Sequence, residues 1–182
     1  VLYGNDPDSL NFTMTDSVNV IDHEIRLTGL SPDTRYYYAV SDGINILQGD
    51  SNNYFKTAPV KGMSKHVRIW SMGDTGINTI DQNNVRDAFL NFNDTLPIDL
   101  LYMLGDNAYY SGTDQEYQDA FFQNHYEDIL KNIPVFSVAG NHENYTANAI
   151  TQTGPYYDIF TFPKNGECGG LPSGSEAYYS FD

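Results

Sequence analysis

A partial β-sandwich over residues 1–58, followed over residues 59–182 by an incomplete α/β unit with a mostly parallel sheet, is the fold this sequence predicts. Three observations carry that expectation. Short β patterns separated by turn clusters fill the first third of the chain. Beyond the Pro- and Gly-containing linker Thr57-Ala-Pro-Val-Lys-Gly-Met-Ser-Lys65 the patterns alternate between strand and helix, the signature of a parallel sheet with crossover connections. The run Ile98-Asp-Leu-Leu-Tyr-Met-Leu104 is apolar nearly throughout, as a parallel strand covered on both faces must be.

In the first unit Asn5-Asp-Pro-Asp-Ser9 and Leu30-Ser-Pro-Asp-Thr34 read as turns, and His23-Glu-Ile-Arg-Leu27, Arg35–Val40 and Tyr54-Phe-Lys-Thr57 as strands. Tyr36, Tyr38 and Val40 share one face by the two-residue period of a strand. The spacing Leu30-x-Pro32-x-Thr34-x-Tyr36 resembles the E–F corner of fibronectin type III domains, where a tyrosine hydroxyl bonds back to the backbone. The unit therefore resembles a partial fibronectin-like β-sandwich, and nothing in it carries chemistry. His23, in an alternating strand pattern, reads as structural.

In the second unit His66–Met72 reads as a strand ending on Gly73-Asp74-Thr75-Gly76. A helix follows, with Val85, Ala88, Phe89 and Phe92 on its expected core face. The strand Ile98–Leu104 ends on Gly105-Asp106. A second helix opens at Thr113-Asp-Gln-Glu116, a capping box. It is expected to run to about Lys131, with Tyr117, Phe121 and Ile129 toward the core. Strand Val135–Ala139 ends on Gly140-Asn141-His142-Glu143. Residues 144–175 read as a long loop over the site, and Glu176–Asp182 as the start of a strand. The tyrosine pairs at 156–157 and 178–179 read as packing residues.

Composition narrows the function. Hydrophobic residues at 40% and aromatic residues at 14% suffice for a core, so disorder is excluded. A formal net charge of −15 argues against nucleic acid or an anionic membrane as partner and suits the collection of cations by carboxylates. The single Cys168 rules out an internal disulfide framework and a cysteine-based zinc cluster. No apolar run approaches the length of a membrane span. Asn11-Phe-Thr, Asn93-Asp-Thr and Asn144-Tyr-Thr fit the N-glycosylation pattern, which is expected by chance in so Asn-rich a chain. The chain opens and closes inside strand-like patterns, which reads as a segment of a longer protein.

The chemistry gathers at three strand ends, each one βαβ unit from the next. Neighbouring strands would bring Asp74, Asp106 and Asn141-His142 along one edge of the sheet, where open α/β sheets keep their functional groups. Two carboxylates and an amide oxygen are hard donors for divalent or trivalent cations. The middle Asp106 is placed to bridge a metal pair, and such a pair would acidify a bound water enough to give hydroxide near neutral pH. His142, beside Asn141, is placed to protonate a leaving oxygen. His66 and His125 read as structural or surface residues.

These motifs, Gly-Asp-x-Gly, Gly-Asp-x-x-Tyr and Gly-Asn-His-Glu, resemble the calcineurin-like metallophosphoesterases, and within them the purple acid phosphatases, which also carry a fibronectin-like domain in front of the catalytic one. Asp74-Thr75-Gly76 stands where most relatives have Asp-x-His, and Tyr109 occupies the place of the tyrosinate ligand that accompanies that change. The resemblance implies that Asp74 and Tyr109 bind Fe(III), that Asp106 bridges it to a second metal (iron, zinc or manganese), that Asn141 binds the second metal, and that His142 touches the phosphate or serves as the acid. It implies a secreted or periplasmic phosphomonoesterase acting on a small phosphate ester. A phosphodiesterase or nucleotidase of the same superfamily, and a non-catalytic surface-binding module, are the alternatives. The family also uses histidine ligands later in sequence, and this chain has no histidine after His142. Residues 1–182 alone are therefore expected to bind metal weakly and to lack useful phosphatase activity.

Overall fold

The computed structural model describes residues 1–123 and 125–182, which divide into two compact units. The first comprises residues 1–66 together with 131–133, and the second residues 67–130 and 134–182.

The first unit is an antiparallel sheet built on β3 (Arg35–Ser41), which pairs with β1 (Leu2–Gly4), β4 (Ile46–Gln48) and β5 (Tyr54–Lys56), while β2 (Phe12–Thr13) extends β1. β3 is the hub because its tyrosines meet aromatic partners on the flanking strands. Tyr36 stacks on Phe55 at 5.7 Å and lies 6.4 Å from Tyr3. The expected corner is present: the Tyr36 hydroxyl accepts a 2.9 Å hydrogen bond from the Ser31 N–H. Two expectations are corrected or left unmet here. Residues 23–27 form no strand; they lie at the surface and most are exposed. Among the described residues no second sheet faces the first, so the antiparallel sheet is observed without the sandwich. His23 meets Asp16 at 2.9 Å on the surface, a structural contact as expected.

The second unit holds a parallel sheet in the order β6 (Ile69–Met72), β7 (Leu100–Met103), β8 (Val135–Ser137). The strands are shorter than their apolar runs, yet the register is that of the expected alternation. Met72 lies opposite Met103, and Met103 opposite Ser137. The three strands therefore stop level with one another, which aligns the residues after them. Leu101 and Met103 are fully buried, as a central parallel strand requires. On one face Trp70 stacks on Phe89 at 4.0 Å and meets Tyr126 edge-on. On the other Phe136 stacks on Phe181 at 4.0 Å, with Tyr102 edge-on to Phe181.

α1 (Ile80–Asn93) is present, but its buried side is not the apolar one. Val85 and Phe92 are exposed, while Gln82 and Asn93 are buried beside the half-buried Phe89. Carbonyls of the segment packed beside the helix decide this. Gln82 Nε2 donates to Ala120 O at 2.6 Å and Arg86 to His125 O at 2.6 Å, bonds that an apolar face could not make. Asn93 Nδ2 is engaged with Leu96 O at 2.6 Å, so that glycosylation motif is closed in the folded chain.

The second helix begins with the expected capping box but is not continuous. α2 (Asp114–Tyr117) widens into a π-helical turn, Gln118–Phe122, and α3 (Glu127–Leu130) follows separately. Tyr117 and Phe121 are buried as expected, and Ile129 only partly. The break lets Tyr126 pack on Trp70 and lets His125 reach Asn83 and Asn78 at 2.8 and 2.9 Å. The stretch expected as a loop over the site contains α4 (Pro155–Ile159) and buries Tyr156, Phe160 and Phe162. The hydroxyls of Tyr156 and Tyr179 both donate to the Ser137 carbonyl, so these tyrosines extend the core, whereas Tyr178 is exposed. Residues 176–182 form no strand; Phe181 is held by ring stacking instead of a ladder. No helix among the described residues is long and apolar enough to cross a membrane.

Candidate metal centre

Asp74 and Asp106 each follow a glycine at a strand end, and each adopts a left-handed conformation, with φ of 55° and 52°. Aspartate tolerates this region better than most residues, but it is still a strained choice. The sheet holds the turns in place: Leu104 N donates to Met72 O at 2.8 Å, Asp74 N to Gly105 O at 3.0 Å and Val138 N to Met103 O at 3.0 Å. The backbone then approaches so closely that a Cβ on Gly105 would lie 2.9 Å from Gly140 Cα, and one on Gly76 only 2.0 Å from Asn107 O. Glycine is required at both.

The result is a convergence of oxygens. The Tyr109 hydroxyl donates to Asp74 Oδ1 at 2.9 Å and also lies 3.2 Å from Asp106 Oδ2. Asp106 Oδ1 accepts the His142 N–H at 3.0 Å. The tyrosine itself is placed by its backbone, whose N–H donates to Gly76 O at 2.8 Å. Burial pushes the Tyr109 phenol well above the ordinary tyrosine value, and the hydrogen bond to Asp74 and the negative charge of Asp106 push it further. Two carboxylates around a phenol favour its protonated form; a bound cation would reverse that preference.

His142 is held through Nδ1, which lies 2.7 Å from the Tyr110 carbonyl. A carbonyl only accepts, so Nδ1 carries the hydrogen and Nε2 is the nitrogen available for proton exchange. Its ring centroid lies 4.4 Å from that of Tyr109. Asn141 is exposed at the adjacent position. The tertiary structure thus joins Asp74, Asp106 and Tyr109 directly and ties His142 to Asp106 through the backbone. Asn141 belongs to the group by its place in the turn. Among the described residues no three His, Cys, Asp or Glu side chains form a metal cage; the donors here are mixed, two carboxylates with a phenol and an amide. That donor chemistry fits hard cations.

Two glutamates in the site were not singled out by sequence reasoning for what they do here. Glu116, read only as a helix cap, also accepts from the N–H groups of Tyr110 and Ser111 and so holds the turn after Tyr109. Glu143, fully buried, accepts backbone hydrogen bonds from Asp106, Asn107, Ala108 and Gly140. Its only signal in the sequence is an acidic residue immediately after Gly-Asn-His.

A family model described as calcineurin-like phosphoesterase matches residues 67–179, more than half of the chain and nearly all of the second unit. The chain belongs to that family. Curated relatives narrow the likeness: purple acid phosphatase 15 of Arabidopsis thaliana is 29% identical over 88% of this chain, and purple acid phosphatase 13 of the same plant 28% over 100%. The chain spans 32% and 37% of the length of those relatives. A solved purple acid phosphatase, PPD1 from yellow lupin (Lupinus luteus) seeds, superposes with a TM-score of 0.57 at 21% identity, covering 80% of this chain and 29% of that one, which shows a shared fold. The resemblance first drawn from three short motifs is thereby supported over residues 67–179.

Proposed function

We propose that this chain forms part of the catalytic centre of a phosphatase that hydrolyses phosphate monoesters at a dinuclear metal site. The observation that carries the reading is the meeting of Asp74 and Asp106 at the Tyr109 hydroxyl. Asp74 and Tyr109 would hold a ferric ion, Asp106 would lie between it and a second cation (iron, zinc or manganese), and Asn141 would bind the second cation. Bound there, the cations supply Lewis-acid charge to the phosphoryl oxygens and acidify water.

The protein's own groups do the rest. Asp74 and Asp106 provide the anionic cradle, and their left-handed turns aim both carboxylates at one point. With Nδ1–H held by the Tyr110 carbonyl, the protonated His142 ring keeps its Nε2–H free to deliver a proton to the leaving alkoxide or to donate to a phosphoryl oxygen. Glu116 anchors the turn that supplies that carbonyl. Residues 1–58 would be the fibronectin-like part of the protein, and residues 59–182 the first portion of its catalytic domain. Secretion or periplasmic export belongs to the same reading.

Assay of the complete gene product with p-nitrophenyl phosphate and bis(p-nitrophenyl) phosphate, after loading with iron and zinc or manganese, tests the proposal. Faster monoester turnover is expected. A preference for the diester would replace the monoesterase reading, and turnover of neither would sink the hydrolase reading.

A further inference from the structure

Asp106 and the turn at Asn141–His142 come from different strands, β7 and β8, and beyond those strands no ladder holds them together. Glu143 does. Its Oε2 accepts from Asp106 N at 3.0 Å and from Gly140 N at 2.6 Å, while Oε1 accepts from Asn107 N at 2.7 Å and Ala108 N at 3.2 Å. One side chain therefore satisfies donors on both turns. The bracket is reciprocal, because the Asp106 carboxylate accepts the His142 N–H in return at 3.0 Å.

The surroundings are shaped for this clamp. A Cβ on Gly112 would lie 2.8 Å from Glu143 Cα, and one on Gly140 would lie 2.2 Å from Asp106 Oδ1. Glu143 has no exposed surface, so its charge is answered by oriented N–H groups in place of water. A neutral amide of the same shape cannot replace it. Gln offers one acceptor oxygen and turns an NH2 group toward N–H donors.

We propose that Glu143 is a positioning residue for the cation site, fixing Asp106 relative to Asn141 and His142 so that groups from two strands grip the metals together. The inference rests on the metal reading above. Outer groups that orient metal ligands typically matter to affinity by about 10–100-fold.

The test uses the complete gene product, its Glu143→Gln and Glu143→Asp variants, and Mn2+ titration by calorimetry alongside amide hydrogen exchange. Glu143→Gln is expected to lose about 10–100-fold in Mn2+ affinity. The N–H groups of residues 106–108 and 140 should exchange at least about tenfold faster, since each loses a bond to a charged acceptor, while those of α1 keep their rates. Glu143→Asp, which keeps the charge, should bind more tightly than Glu143→Gln and less tightly than wild type. Wild-type Mn2+ affinity in Glu143→Gln overturns the positioning role while leaving the metal site standing. If Glu143→Gln does not fold, wild-type affinity in Glu143→Asp overturns it equally. A wild-type protein that binds no cation overturns the metal reading and the positioning role with it, whereas the exchange rates report the clamp separately.

Discussion

The Tyr109 phenol donates to the Asp74 carboxylate across 2.9 Å, closing a separation of 35 residues in the chain. Burial, this bond and the charge of Asp106 all favour the neutral phenol, so its folded pKa lies above the unfolded value of about 10. The stabilisation is fully present below that unfolded value and is lost as pH rises through the folded one. In metal-free protein the ultraviolet difference between wild type and Tyr109→Phe should show no tyrosinate step near pH 10. With iron bound the relation inverts, and a visible tyrosinate–iron colour should appear in wild type and be absent from Tyr109→Phe. A coloured Tyr109→Phe protein would remove Tyr109 from the ligand set.

Asp106 uses both carboxylate oxygens, Oδ1 for His142 N and Oδ2 at the Tyr109 hydroxyl. Asp106→Asn keeps only one acceptor and sets an NH2 against a donor. Elemental analysis of the loaded variant should show both metals lost together, because a neutral amide bridges cations poorly. One retained equivalent would show that Asp106 does not bridge.

Gly140→Ala should damage the site without replacing a ligand. Its Cβ would lie 2.2 Å from Asp106 Oδ1 and 2.3 Å from Asp106 N, and the backbone atom cannot swing away. Overpacking of this kind costs about 1–3 kcal/mol. A lowered Tm together with weaker Mn2+ binding is expected; an unchanged Tm would mean that the two turns are further apart than described.

Glu116 gives the turn after Tyr109 a pH dependence. Although burial alone would raise its pKa, the bonds it accepts from Thr113, Ser111 and Tyr110 outweigh that and hold it below the ordinary glutamate value, about 4.3. A depressed carboxylate stabilises above the unfolded pKa and loses that contribution as pH falls through the folded value. The Tm of wild type should therefore drop more steeply than that of Glu116→Gln as pH is lowered below about 4. Parallel Tm profiles would show that the loop does not depend on this charge.

The parallel sheet and its aligned ends were legible in the sequence. A strand buried on both faces must be apolar throughout, and Gly-Asp or Gly-Asn after each such run marks where the chain turns at one edge. The Thr113–Glu116 cap and the Tyr36 corner were legible for the same reason: both are satisfied within a few residues. Elements whose partners lie far away were not. The apolar stripe Val85, Ala88, Phe89 and Phe92 suggested the buried side of α1; Phe89 packs on Trp70, but distant carbonyls at Ala120 and His125 turned Gln82 and Arg86 inward. Residues 23–27 and 176–182 carry strand patterns, yet a pattern without a neighbouring strand makes no ladder.

At the site itself, residue type and spacing nominated Asp74, Asp106, Asn141 and His142, and the family resemblance added Tyr109. Only the tertiary structure decided how they meet. The Tyr109 hydroxyl sits between two carboxylates, the Tyr110 carbonyl selects the His142 tautomer, and Glu143 binds the N–H groups of two separate turns. Local sequence encodes a turn because its hydrogen bonds close nearby. It does not encode which buried carboxylate will answer the unpaired N–H groups of a turn more than thirty residues away, since that depends on where the sheet ends.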